Sequence, residues 1–154
     1  MKARDIMVSD VPVITTKATV AQAVQMLKDN YGDESFINAA PGLVVLSERG
    51  GLAGILTPLS VITALIGDMT GVTSAAKLDD SFFSERCDMI KGLPVSEIME
   101  RQAISVTEDA HVADIAELFV KHRFQRLPVV KGSRVVGIIY RSRLLFAMTE
   151  KMTT

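Results

Sequence analysis

The sequence of 154 residues has no tryptophan, a single cysteine, and aromatic side chains at only 5% of its positions. A lone thiol, Cys87, cannot close an internal disulfide, and a reducing, cytoplasmic setting is the reading that follows. With no partner cysteine and no histidine base near it in sequence, it reads as an incidental thiol, not a nucleophile. An excess of either charge is also missing. Seventeen Lys and Arg stand against 18 Asp and Glu, a formal net charge of −1, so no overall field draws nucleic acid or an anionic membrane. No apolar run reaches the roughly 18 residues of a transmembrane helix. Met1-Lys2-Ala3-Arg4-Asp5 is not followed by an apolar stretch of signal-peptide type. No Gly-x-x-x-x-Gly-Lys phosphate loop occurs, so Gly50-Gly51 reads as a turn. No triad, metal cluster or nucleophile–base pair is evident either, and an enzyme is not expected. What the chain does have is aliphatic bulk. Hydrophobic residues make up 48% of it, so Val, Ile, Leu, Met and Ala must fill a sizeable core.

Those residues recur in a pattern, and internal repeats decide a fold before anything else does. Asp5-Ile6-Met7 returns 92 positions later as Glu97-Ile98-Met99, and Thr19 to Val24 returns as His111 to Ala116. Gly54-Ile55-Leu56-Thr57 matches Gly137-Ile138-Ile139-Tyr140 at a spacing of 83, so the first copy is longer by nine residues. The surplus falls in Tyr31 to Gly42 and the Glu48 to Gly51 turn, and Tyr31 to Pro41 reads as a surface loop. Within each copy Val13-Ile14-Thr15, or Ser105-Val106-Thr107, reads as a short strand. Thr19 with Gln22 three residues on has the capping-box pattern of a helix start. Val20, Ala23, Val24 and Leu27 then give one apolar face, repeated by Val112, Ile115, Ala116 and Phe119. Two strand-like runs follow, Leu43 to Leu46 and Leu52 to Leu56, with counterparts Leu127 to Val130 and Val135 to Tyr140. A second helix begins at Pro58 with Thr57 as its cap, and its counterpart runs from about Arg141 toward Lys151.

The expected fold is therefore α/β (α+β): two tandem β-α-β-β-α repeats packed through their sheets with pseudo-two-fold symmetry. Residues 1–68 form the first repeat and 93–154 the second. Between them lies a linker, 69–92, whose Asp79 to Ile90 reads as a helix turning Phe82, Phe83 and Ile90 inward. The two histidines, His111 and His122, fall at opposite ends of one helix and cannot share a metal. His111, matching Thr19, reads as a helix-start residue.

The ordered set of motifs, present twice over nearly the whole chain, resembles the CBS domain pair, or Bateman module, named after cystathionine β-synthase, in its stand-alone bacterial form. The marks are Asp5-Ile6-Met7 and Glu97-Ile98-Met99, then His122-Arg123 with Leu127-Pro128-Val129-Val130, and the closing Gly54-Ile55-Leu56-Thr57 and Gly137-Ile138-Ile139. The resemblance implies a non-catalytic regulatory module, often a homodimer, that senses AMP, ADP, ATP or S-adenosylmethionine between its repeats and requires no cofactor. It also implies a signature of Gly, two apolar residues, Thr or Ser, two more residues, then Asp. There the hydroxyl and the helix N-terminus suit a phosphate and the Asp suits ribose hydroxyls. The first copy keeps Thr57 but has Ser60 in place of Asp, and Pro58 removes one backbone donor. In the second copy Tyr140 and Arg143 replace both signature residues. The candidate ligand contacts are Thr15, Thr16, Val45, Thr57 and Ser60 from the first copy, and Thr107, His122, Arg126, Pro128, Tyr140, Arg141, Ser142 and Arg143 from the second.

From Lys121 to Arg143 there are seven basic residues and no acidic one. One reading is an anion site, with Arg141 and Arg143 at a helix N-terminus where cations are unfavourable until an anion arrives. The other is a solvated surface, or ion pairs to Asp79, Asp80 or Glu85. Nucleic acid is not the expected partner, because only Phe124 and Tyr140 are placed to stack on bases. The competing function is a ligand-free dimerisation scaffold. It would explain the lost Asp positions and a Tyr140 that fills a cleft, with Val61, Ile62, Leu65, Leu144, Leu145 and Met148 as its dimer face. An unidentified effector protein would receive the output of the sensor.

Overall fold

A computed structural model describes residues 1–30, 42–67, 80–101 and 104–153. Tyr31 to Pro41, expected to be a surface loop, lies outside these residues, as does Asp79. The elements run α1 (Ala3–Ile6), β1 (Val13–Thr15), α2 (Val20–Asn30), β2 (Leu43–Leu46), β3 (Leu52–Leu56), α3 (Pro58–Ile66), α4 (Asp80–Ile90), a 3₁₀ turn (Val95–Glu97), β4 (Val106–Thr107), α5 (Val112–His122), β5 (Arg126–Lys131), β6 (Arg134–Tyr140), α6 (Arg141–Met148) and a last 3₁₀ turn (Glu150–Met152). They make two three-stranded sheets of order β1-β2-β3 and β4-β5-β6. In each, the first pairing is parallel, which requires the intervening helix as a crossover, and the second is antiparallel. The mixed α/β pair of repeats expected from the sequence is what forms.

Local signals account for the helix starts. Thr19 and Gln22 close the capping box, with Gln22 N donating to Thr19 Oγ1 at 3.1 Å and Thr19 N to Gln22 Oε1 at 2.9 Å. At the equivalent position His111 Nδ1 accepts from Ala113 N at 3.1 Å. Pro58 opens α3 behind Thr57. The apolar faces read from spacing are the buried ones: Val20, Ala23 and Leu27 on α2, and Ile115 and Phe119 on α5. In the linker helix Ile90 is buried, but Phe83 turns outward, 43% exposed, with its ring edge-on to Phe82. The helix α6 is shorter than expected, ending at Met148.

The cores are exchanged between the ends of the chain. Ala3 and Ile6 of α1 are buried with Ile115, Phe119, Leu127, Val129, Ile139 and Leu144, in the core of the second sheet. Val95 is buried with Ile14, Ala23, Leu27, Leu43, Val45 and Leu56, in the core of the first, with Ile98 and Met99 packed on it. Each crossing segment also extends the sheet it joins. Val8 pairs with Ile138 and Glu100 with Ile55. Val8 and Glu100 are 92 positions apart, as are the motifs that precede them. Between the sheets lies a third cluster, Val44, Ile55, Ile138 and Tyr140. Strand side chains alternate faces, so in β2 Val44 points to the opposite sheet while Leu43 and Val45 point to the helices.

This exchange explains the glycine of the repeat. A Cβ on Gly54 would overlap the Glu100 carbonyl oxygen, while one on Gly137 would stand 2.6 Å from Met7 Sδ. The Met of each starting motif thus lies over the Gly of the sheet it extends. The two positions differ in what would have to yield. Gly54→Ala confronts hydrogen-bonded backbone and is expected to cost about 1–3 kcal/mol. Gly137→Ala confronts a thioether with rotatable bonds, and its cost should be distinctly smaller. Thermal unfolding of the two variants checks this; equal losses would show that the Glu100 backbone is free to move.

Candidate ligand-binding cleft

Arg126 begins β5 and pairs in register with Tyr140 at the end of β6. Its structural counterpart is Gly42, which precedes Leu43 as Arg126 precedes Leu127, and the two counterparts meet. A Cβ on Gly42 would overlap the Arg126 guanidinium. The arginine of one repeat therefore occupies space that the missing side chain of the other leaves open. Arg126 is only 6% exposed. Burial disfavours its charge and pushes its pKa down, while Tyr140 and Glu100 nearby act to raise it. Tyr140 is likewise buried. Loss of solvent raises its phenol pKa, Arg126 acts to lower it, and Asp10 adds to the rise.

In the first repeat, at the position that Tyr140 holds in the second, Thr57 and Ser60 cap α3 reciprocally. Ser60 N donates to Thr57 Oγ1 at 3.3 Å and Thr57 N to Ser60 Oγ at 3.0 Å. The hydroxyl standing where Asp was expected is thus engaged in its own helix cap, and Ser60 is buried. Beside it is a cavity of about 430 Å³ whose walls include Ser60 and Thr63 of α3, Ile90 of α4, and Ile98 and Glu100 of the crossing segment. Glu100 is fixed there by reciprocal backbone bonds with Ile55, both 2.8 Å. Glu100 is part of the cavity wall, and its carboxylate is near enough to Arg126 to act on its charge. Arg86 of α4 lines the same cavity, donating to the carbonyls of Leu65 at 2.9 Å and Ala64 at 2.6 Å. A cation is favourable at that C-terminal end of α3.

The remaining candidates are dispersed. Arg141 donates from Nε to the Phe124 carbonyl and from Nη2 to that of Arg123, both at 2.8 Å. Arg143 Nε donates to the Ile6 carbonyl at 3.4 Å. Arg141 thus ties the end of α5, and Arg143 the end of α1, to the start of α6. Ser142, between them, is half-buried. His122 is exposed and stacked on Phe124, with ring centroids 5.0 Å apart. Thr15 and Thr107 are exposed at the ends of β1 and β4. Thr16 N donates to the Leu46 carbonyl at 3.0 Å. Val45 is buried in the first repeat's helix-facing core, and Pro128 is buried in the central strand β5. Sequence reasoning missed Gly42 and Glu100. Aligning Leu43 with Leu127 carries a signal for Gly42, because it sets a glycine opposite an arginine in otherwise matching strands. Among the described residues no group of three or more His, Cys, Asp or Glu is placed to hold a metal, and no helix there is long and apolar enough to cross a membrane. Cys87 is exposed on α4.

Two sheets extended by exchanged segments, repeating with one glycine-anchored motif, define a tandem-repeat α/β module with a seam between its halves. The sequence pattern of the CBS domain matches residues 3–67 and 95–150, and the chain belongs to the CBS domain family. The CBS domain-containing protein YhcV of Bacillus subtilis is 24% identical over 136 residues, covering 88% of this chain and 77% of that protein. Protein MJ1404 of Methanocaldococcus jannaschii is 26% identical over 140 residues, and the match spans only 30% of its length. Among solved structures, a CBS domain-containing protein of Kribbella flavida superposes with a TM-score of 0.75 at 23% identity, covering 97% of this chain and 98% of that one. A structure of CBSX2 in complex with AMP gives a TM-score of 0.69 at 19% identity, covering 98% of each chain.

Proposed function

We propose that the chain is a non-catalytic regulatory module that takes an adenine nucleotide or a related anionic ligand at the seam between its repeats and passes a conformational change to a partner protein. The observation that carries this reading is the place of Arg126, a cation of one repeat lying on Gly42 of the other. A ligand anion seated beside it would touch both halves and could form charge-assisted hydrogen bonds with the guanidinium. A ligand that touches both repeats favours the one arrangement that suits it. The AMP held by CBSX2 supports the choice of ligand class. The setting we propose is cytoplasmic.

A second reading, a ligand-free homodimeric scaffold, is favoured by Ser60 engaged in its own cap and by Tyr140 packed in the inter-sheet cluster. Its dimer face would be Leu59, Ile62 and Ile66 on α3 with Leu145, Phe146 and Met148 on α6, all exposed. Leu144, assigned to that face from the sequence, is buried in the second core, and Val61 is half-buried on the first.

Thermal unfolding against AMP, ADP, ATP, S-adenosylmethionine and cyclic dinucleotides separates the two. A ligand at 100 times its Kd adds about 2.7 kcal/mol, which for a chain of this size raises the midpoint by roughly 5–10 °C. A shift of that size with an adenine compound is expected. No shift with any of the panel, in a folded dimer, would leave the scaffold reading.

A further inference from the structure

We infer that the abutting hairpin turns of the two sheets, which carry Arg49, Lys131 and Arg134, form a docking surface for an acidic segment of a partner protein; the partner's role rests on the regulatory reading above. The turn between β2 and β3 meets the turn between β5 and β6, where a Cβ on Gly51 would stand 3.5 Å from the Ser133 carbonyl oxygen. Arg49 on the first turn and Lys131 and Arg134 at the second are all exposed. Lys131 and Arg134 are also the last register pair of β5 and β6. Like charges directly opposite each other destabilise a sheet, and the fold gives them no relief. Among the described residues none of the three cations has a carboxylate partner. Glu48, beside Arg49 in the first turn, is taken by Lys17, and Asp109, just beyond β4, by Arg4 and Lys2. Other cations of the basic run from Lys121 to Arg143 are committed elsewhere. Arg126 is buried, and Arg141 and Arg143 are bonded to carbonyls.

The chemistry of the turns selects the occupant. Two arginines present planar donor forks that match carboxylates. Neither turn has an apolar or aromatic side chain: 47–51 reads Ser-Glu-Arg-Gly-Gly and 131–134 reads Lys-Gly-Ser-Arg. Nothing there can insert into a bilayer or stack on a base, and three cations offer nucleic acid only a weak, sequence-blind contact. An acidic peptide segment needs only charge and hydrogen bonds from such a surface. One turn also belongs to each repeat. A segment whose carboxylates reach Arg49 on one turn and Lys131 and Arg134 on the other binds best at one separation of the two. Its affinity therefore follows the arrangement of the halves.

Fluorescence anisotropy of the whole chain with fluorescein-labelled octaglutamate tests the surface. Binding that weakens as salt is added is expected. Arg49→Ser, Lys131→Ser and Arg134→Ser should each weaken it by about two- to fivefold, and the three together by roughly 10- to 100-fold. Lys28→Ser with Lys121→Ser, at exposed positions on α2 and α5, should leave it unchanged. Arg134→Glu turns the like-charged pair into an ion pair. It should raise the unfolding midpoint by roughly 1–5 °C while abolishing peptide binding, a loss that unfolding cannot explain. No binding by the wild type, an equal loss in the Lys28 and Lys121 variant, or wild-type affinity in Arg49→Ser would overturn the inference. Tighter binding of oligothymidylate of equal charge, or of phosphatidylserine vesicles, would overturn the choice of an acidic segment. None of these outcomes depends on AMP. If AMP gives no thermal shift, the nucleotide reading fails alone, and the peptide titration still decides the surface.

Discussion

On the nucleotide reading proposed above, Arg126→Met should remove most of the stabilisation by AMP and lower the stability of the unliganded protein by about 1–3 kcal/mol. Methionine ends where arginine has its Nε, so the volume over Gly42 that the guanidinium fills is left open, and the partner of the guanidinium loses its donor. The loss is limited because the charge that disappears is one that burial opposes. A hydrogen bond to a charged group is worth about 1.5–3 kcal/mol. Losing it should weaken AMP by roughly 10- to 100-fold. Arg141→Ala with Arg143→Ala should separate the two effects. It frees carbonyls at the end of α5 and α1 and lowers stability, yet keeps the AMP shift. Thermal unfolding of both variants, with and without AMP, measures all four quantities. A full AMP shift in Arg126→Met would remove Arg126 from the site.

The contrast between those arginines marks where sequence reasoning reaches its end. The repeat, the caps at Thr19, Thr57 and His111, and the buried faces of α2 and α5 were all legible, because each depends on residues within a few positions of one another. The loss of the expected Asp at Ser60 was legible too. What Arg141 and Arg143 bind was not, since that depends on where the ends of α5 and α1 arrive in space. The partnership of Arg126 with Gly42 was hidden for the same reason: it joins residues 84 positions apart across a pseudo-two-fold seam. Phe83 shows the limit of periodicity. On a short amphipathic helix two adjacent aromatics cannot both face inward, and only packing decides which one does.

The exchanged segments carry the largest expected loss of stability. Reading the motifs in chain order assigned Ile6 to the first repeat, but its side chain is buried in the second core with Ile115, Phe119 and Leu127. Ile6→Ala removes three carbon atoms from that cluster and is expected to cost about 2–5 kcal/mol, lowering the midpoint by roughly 5–20 °C. The place of the damage is more telling than its size. Anchored by Val8 on Ile138 and by Arg4 on Asp109, α1 holds β6 and α5 from outside. Hydrogen exchange should therefore quicken first in β4, β5 and β6, while β1, β2 and β3 keep their protection. A repeat that closed its own core would lose protection in β1 to β3 instead. Because Arg143 also donates to the Ile6 carbonyl, disturbance of α1 reaches α6 and the Tyr140 end of the seam. In this fold neither half is complete without the other's leading segment, so a force applied at one crossing is felt in the opposite sheet.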